Sequence, residues 1–263
     1  MSMTIMGHLE ELRKRLFRMV IAVGIITFVI LGFHLTSFVY NGIHLYYPTF
    51  SPFDNMAAQL TNSMKHHLLP PYVQLIQTAP GQAFFAQFYV AVLVGIAVGM
   101  PVIVREFMGF LAPALDRKEI RIIKSMTLPA VGLFVAGCIF SYVVVTPYIL
   151  TFLYKYGQSA GLLTFLNIVD FITFVLQFML AFGISFQLPL IMYAVTASGM
   201  VDEKFWRRNI KWAVIGIVIL GAAITPDGSG VTMWFVAGPL IGLYLIGMFL
   251  SERRAKQIGT LKS

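Results

Sequence analysis

Charge is what this chain has least of. Asp, Glu, Lys and Arg make up 11% of its 263 residues, against 58% hydrophobic, and mean hydropathy is +0.82. A soluble domain carries roughly a quarter charged residues, so composition excludes a water-solvated globule. Cysteine is nearly absent: Cys138 stands alone, which rules out an internal disulfide framework and a Cys-based metal site. Enzyme signatures are missing too, with no Gly-rich phosphate loop, no G-x-S-x-G and no His pair at helical metal spacing within an apolar run. His66 and His67 are adjacent and so point to different faces of a helix, while His8, His34 and His44 are isolated. All five read as ordinary interfacial histidines. The interior of the apolar runs holds no Lys or Arg, which leaves proton-relay or voltage-sensing chemistry little to work with. No catalytic residue, metal or cofactor is expected.

What remains is a series of long apolar runs, and about 20 such residues cross a bilayer as a helix. Charge-free or nearly charge-free stretches place six spans, at approximately 17–38, 83–104, 125–150, 170–197, 209–224 and 231–250. The last two are separated by Thr225-Pro226-Asp227-Gly228-Ser229-Gly230, a run that breaks a helix. Counted as an apolar core of about 15 to 17 residues each, those two spans reach roughly 22–26 Å at 1.5 Å per residue, short of a ~30 Å core. The fold class expected is therefore an all-α integral membrane protein of six transmembrane helices, the last two short. The whole of 1–263 reads as a single polytopic membrane domain, with no internal repeat. Pro101, Pro129, Pro189 and Pro239 imply bends within the spans.

Orientation follows from the basic residues. The side holding both termini carries Arg13, Lys14, Arg15 and Arg18, then Arg105, Arg117, Lys118, Arg121 and Lys124. It also carries Lys204, Arg207, Arg208 and Lys211, and finally Arg253, Arg254, Lys256 and Lys262. Of the 19 Lys and Arg, only Lys65 and Lys155 fall opposite. The positive-inside rule then puts both termini in the cytoplasm. The same asymmetry accounts for the pI of about 9.6 without nucleic acid as a partner. Acidic Glu10 and Glu11 ahead of the basic cluster, with no small-residue cleavage site after the apolar run, make span 1 a retained anchor rather than a signal peptide.

Three segments carry candidate chemistry. Before span 1, Ile5, Leu9, Leu12 and Leu16 form an apolar stripe at helical spacing. Glu10 and Glu11 there stand four residues ahead of Lys14 and Arg15, an arrangement that favours ion pairs along a helix. After span 2, a loop from Arg105 to Glu119 sets Phe107, Phe110 and Leu115 among charges, which fits an interfacial re-entry as well as it fits a docking surface. In span 4, Asp170, Thr173, Gln177 and Gln187 fall roughly on one side of a helix, and Pro189 predicts a kink beside Gln187. Interhelical hydrogen bonding and a polar site are equally open there.

The motifs together resemble the TatC family, the polytopic subunit of the twin-arginine (Tat) protein translocase. They are His8-Leu9-x-Glu11-Leu12-Arg13-x-Arg15-Leu16, Phe107-x-x-Phe110-x-x-Pro113-x-Leu115-x-x-x-Glu119, Ala181-Phe182-Gly183-x-x-Phe186-Gln187-x-Pro189 and Thr225-Pro226-Asp227. The resemblance implies a receptor for twin-arginine signal peptides that exports folded proteins across the cytoplasmic membrane of a prokaryote, driven by the proton-motive force. It implies signal-peptide binding by Glu11, Arg13, Phe110, Pro113, Leu115 and Glu119. Gln177, Gln187, Pro189 and Asp227 would form an intramembrane polar contact. The partners implied are the peptides, single-span subunits of the TatA/TatB type, further copies of the chain and the lipid bilayer. Two positions depart from the family pattern: Gln187 and Leu245 stand where relatives often carry Glu. A six-span small-solute transporter is the alternative. It would need an ionisable coupling group near the midplane, and none is visible away from the span ends.

Overall fold

A computed structural model describes residues 5–40, 43–111, 126–197, 199, 201–202, 204–225 and 230–260. Among them, five helices are long and apolar enough to cross a membrane: Leu9–Gly32, Gln82–Phe107, Thr127–Ser159, Ile168–Ala197 and Val231–Arg253. A sixth apolar helix, Ile210–Ile224, is shorter. The chain divides into two compact units, Met1–Glu106 with Thr146–Leu176, and Phe107–Val145 with Gln177–Ser263.

In the first unit, α1 (Ile5–Gly32) is one unbroken helix of 28 residues. The amphipathic segment and span 1 are thus continuous, because nothing between Arg18 and Gly24 interrupts helical geometry. The expected end of span 1 at residue 38 is corrected to Gly32. Beyond it β1 (Phe33–Tyr40) pairs antiparallel with β2 (Ile43–Phe50), from Phe33 opposite Phe50 to Tyr40 opposite Ile43. Asn41-Gly42 separates the strands in the sequence, the dipeptide most favoured in two-residue hairpins. The hydroxyls of Thr36 and Thr49 bond across the hairpin at 2.8 Å.

Short α2 (Met56–Leu68) follows, capped by Asn55, whose side chain accepts the Ala58 amide at 2.9 Å. Asn55, 2% exposed, also donates to the Pro52 carbonyl and to Gln87 Oε1 on the next long helix. The three-residue strands β3 (Gln74–Ile76) and β4 (Phe165–Asn167) pair in parallel. Among the described residues all four strands lie in connections, and every apolar spanning element is a helix.

The second long helix, α3, runs from Gln82 to Leu111. It does not stop at Arg105-Glu106, where the charge pattern predicted the end of span 2 at residue 104; charges solvate at a membrane surface without breaking a helix. Its Gly95 lets α1 approach: a Cβ there would meet Thr27 Oγ1 at 2.6 Å. The third span is α4 (Thr127–Phe140), a π turn (Ser141–Val145) and α5 (Thr146–Ser159). Pro147 explains the π turn, because its ring opposes the carbonyl four residues earlier and it offers no amide hydrogen.

Within the second unit, span 4 carries the expected distortion as a two-residue turn at Phe186-Gln187, across which the Phe186 amide still donates to the Phe182 carbonyl and the Gln187 amide to the Ile184 carbonyl. Helix α6 (Ile168–Ser185), which enters from the first unit, ends before Phe186-Gln187, and α7 (Leu188–Ala197) restarts with Pro189 in its first turn. The short α8 (Phe205–Arg208) leads into α9 (Ile210–Ile224) and then α10 (Val231–Thr260). The 30-residue α10 corrects the expectation of a short final helix ending at residue 250: it runs on through Glu252-Arg253 and past its internal Pro239. Of the last two spans, α9, at 15 residues, is the short one.

Small residues set the close approaches in this unit. A Cβ at Gly247 on α10 would meet Met192 Sδ at 2.6 Å and Pro189 Cα at 2.9 Å on α7. Such contacts hold membrane helices together where apolar burial offers no advantage over lipid.

Candidate functional site

The carboxylate of Glu11 is the centre of the best-defined polar cluster, and α1 builds it. Glu11 and Arg15 stand one turn apart, so the guanidinium folds back on the acid: Nε and Nη2 of Arg15 donate to Glu11 Oε1 at 3.0 and 2.6 Å. The remaining Arg15 nitrogen, Nη1, reaches across to Glu106 Oε2 on α3 at 3.2 Å. Arg18 Nη1 lies 3.5 Å from the same oxygen but is 65% exposed, so water screens it. Side chains of Glu11, Arg15 and Glu106 are only 21%, 22% and 13% exposed. Glu11 Oε2 is buried and has no hydrogen-bond partner among the described residues. Buried carboxylate oxygens normally find a donor. Chemically, the cluster is an anionic acceptor with one oxygen fixed and one unused.

The remaining predicted recognition residues divide. Arg13 is exposed on α1, and the expected Glu10–Lys14 pair forms at 2.9 Å on the solvent face. Phe110 lies half-buried near the end of α3. Pro113, Leu115, Glu119 and Asp227 lie outside the described residues. Sequence reasoning missed Glu106 as a partner and treated it only as a terminating charge. A separation of 91 positions from Arg15 hides the contact, and only the charge within a helical stretch hints at it.

In span 4, Gln177 Nε2 donates to the Ile224 carbonyl at 3.2 Å, and Gln187 Nε2 to the Ala130 carbonyl at 3.1 Å. Both glutamines thus satisfy carbonyls of other helices. Bonds of this type within membranes contribute about 0.6 kcal/mol on average, and up to about 1.7. Thr173 bonds back to its own helix, at the Val169 carbonyl. Pro189 is buried. Leu245 is 42% exposed on α10. No group of three or more His, Cys, Asp or Glu is placed to hold a metal among the described residues.

Helices that cross lipid, with their ionic side chains kept at helix ends, define a multi-pass α-helical membrane protein. The chain belongs to the TatC family: residues 7–239 match the model of the Sec-independent protein translocase protein (TatC). It is 63% identical over 250 residues to the Sec-independent protein translocase protein TatC of Cenarchaeum symbiosum (strain A), covering 95% of each chain. Its likeness to the Aquifex aeolicus (strain VF5) TatC is 32% over 262 residues, 97% of this chain and 99% of that one. Among solved structures, a crystal structure of the twin arginine translocase receptor TatC superposes with a TM-score of 0.75 at 28% identity, covering 94% of this chain and 99% of the other. Membership sets aside the small-solute transporter and places the chain among translocase components rather than enzymes.

Proposed function

We propose that this chain is the receptor for twin-arginine signal peptides and the core subunit of a translocase exporting folded proteins with the proton-motive force. The observation that carries the reading is Glu11: one carboxylate oxygen is taken by Arg15, and the other is buried without a donor among the described residues. A guanidinium is planar, permanently charged and rich in donors, and so is the group best matched to such an acceptor. Glu119 is the second carboxylate of the pair, with Arg13, Phe110, Pro113 and Leu115 shaping the patch around the peptide. Gln177, Gln187, Pro189 and Asp227 form the intramembrane contact for single-span partners of the TatA/TatB type, and several copies of the chain share one receptor complex. Site-specific crosslinking of a twin-arginine precursor tests the reading. Strong crosslinks to α1 are expected, and weaker ones from a twin-lysine precursor, because an ammonium cannot make the forked contact. Equal crosslinking of both precursors would remove the role given to the carboxylates.

The topology proposed is six spans in one polytopic domain, with both termini on the cytoplasmic face of a prokaryotic inner membrane. Seventeen of the 19 Lys and Arg fall on that side, which supports the orientation. In a Cys138→Ser background, a cysteine placed at Ser263 should react with an impermeant maleimide only after the cells are opened. Labelling of intact cells would reverse the topology.

A further inference from the structure

Arg15 grips Glu11 in an unusual way. An arginine facing a carboxylate ordinarily forks, giving one N–H to each oxygen. Here Nε and Nη2 both fall on Oε1, at 3.0 and 2.6 Å, and Oε2 is left buried without a partner. The reason lies on the far edge of the same guanidinium, where Nη1 is engaged by Glu106 Oε2 at 3.2 Å. One half-buried guanidinium is thus divided between two carboxylates from helices 91 residues apart in sequence. Arg18, long at 3.5 Å and largely solvated, adds little compensating charge. Glu11, Arg15 and Glu106 by themselves carry two negative charges against one positive.

We infer that Glu106 is a positioning residue for signal-peptide recognition: by holding Arg15 aside, it leaves the buried Glu11 Oε2 without a resident donor, a place that a guanidinium of the incoming peptide fills as it docks. This rests on the proposed role of Glu11 as an arginine acceptor and adds a residue that the peptide need not touch. Glu106 is the acceptor for Nη1 among the described residues, and without it Arg15 can settle into the forked pairing that occupies both Glu11 oxygens. The receptor would then carry its own arginine where the ligand's belongs. Glu106 also holds a second negative charge beside Arg15, so the resident cation is neutralised without consuming all of Glu11.

The test is binding of a synthetic twin-arginine signal peptide, and of its twin-lysine counterpart, to the purified full chain in lipid nanodiscs. Glu106→Gln keeps the shape but removes the charge. It should weaken twin-arginine binding about tenfold, the equivalent of one lost charge-assisted hydrogen bond. The preference for arginine over lysine should shrink with it. Glu106→Asp withdraws the carboxylate by one methylene and should act in the same direction, which keeps the test open should the glutamine variant fail to insert.

The deciding arm is the double variant Arg15→Gln/Glu106→Gln, which removes the competitor as well as its restraint. Recovery to within about threefold of the native chain is expected, since a tenfold change is about 1.4 kcal/mol and most of it should return. A Glu106 that merely stabilised the helix pair would leave the double variant at least as weak as the single one, and that result would overturn the inference. So would native-like binding by Glu106→Gln. Glu11→Gln separates the two levels of the argument. If it binds like the native chain, the acceptor role of Glu11 itself is lost. If it weakens binding while Glu106→Gln does not, only the positioning role falls.

Discussion

Replacing Glu11 and Glu119 together by alanine should abolish crosslinking of a twin-arginine precursor while the protein remains inserted in the membrane. A signal-peptide arginine offers five donors in a fixed fork and cannot lose its charge. Each charge-assisted hydrogen bond it makes contributes about 1.5–3 kcal/mol where water is partly excluded. Glu11, 21% exposed, is such a place, so either single substitution should cost at least tenfold in binding. The pair should take affinity below what crosslinking detects. Insertion should survive, because loss of Glu11 leaves Arg15 still bonded to Glu106 rather than stranded. Glu119→Lys should be worse than Glu119→Ala, since it sets an ammonium against the incoming arginines. Undiminished crosslinking in the double variant would move the recognition site elsewhere on the molecule.

The two halves of that cluster differ in how far they can be read from sequence. Glu11 and Arg15 are legible because an i,i+4 pair depends on one helix alone. Glu106 is not, because its contact joins two helices whose approach is set by packing, with Gly95 of α3 admitting Thr27 of α1. The spans themselves are legible from charge spacing, and their ends are not. Arg105-Glu106 and Glu252-Arg253 both sit inside helices, since nothing about a charged side chain ends a run of backbone hydrogen bonds.

The opposite error occurs at Phe33–Tyr40, where apolar content makes a strand read as the tail of a span. Asn41-Gly42 was the available hairpin signal. Pro189 predicts a distortion beside Gln187, and a two-residue turn is found there. Pro147, equally visible, marks the π turn just before it. Local chemistry was readable, then, wherever one element decided it.

Gly137→Leu should be among the most destabilising single substitutions in the described chain, and Gly137→Ala should already lower the unfolding midpoint in detergent. An ideal Cβ on Gly137 of α4 would stand 2.6 Å from the Phe182 carbonyl oxygen and 2.9 Å from Gly183 Cα on α6. Both are backbone atoms and cannot swing away as a side-chain tip would. The crossing is tight from the other side as well, where a Cβ on Gly183 would meet Phe134 Cε2 at 2.8 Å and Cys138 Sγ at 3.0 Å. Cys138 spans the same gap, donating to the Met179 carbonyl at 3.4 Å. Phe134 and Phe182, 2% and 0% exposed, pack around it.

To reach ordinary carbon contact the helices would have to part by about 1 Å, loosening every dispersion contact along the crossing. Overpacking of this kind costs about 1–3 kcal/mol for one added group, and more for a side chain the size of leucine. Lipid supplies no compensating drive to reassociate, because separated apolar faces are as well solvated by acyl chains as by each other. Gly132, on the same helix, isolates the steric effect, because a methyl group added there would meet nothing within 4 Å. Alanine there should be neutral or stabilising by up to about 1 kcal/mol from helix propensity alone. A native midpoint for Gly137→Leu, with Gly132→Ala unchanged, would mean that α4 and α6 do not meet at this glycine.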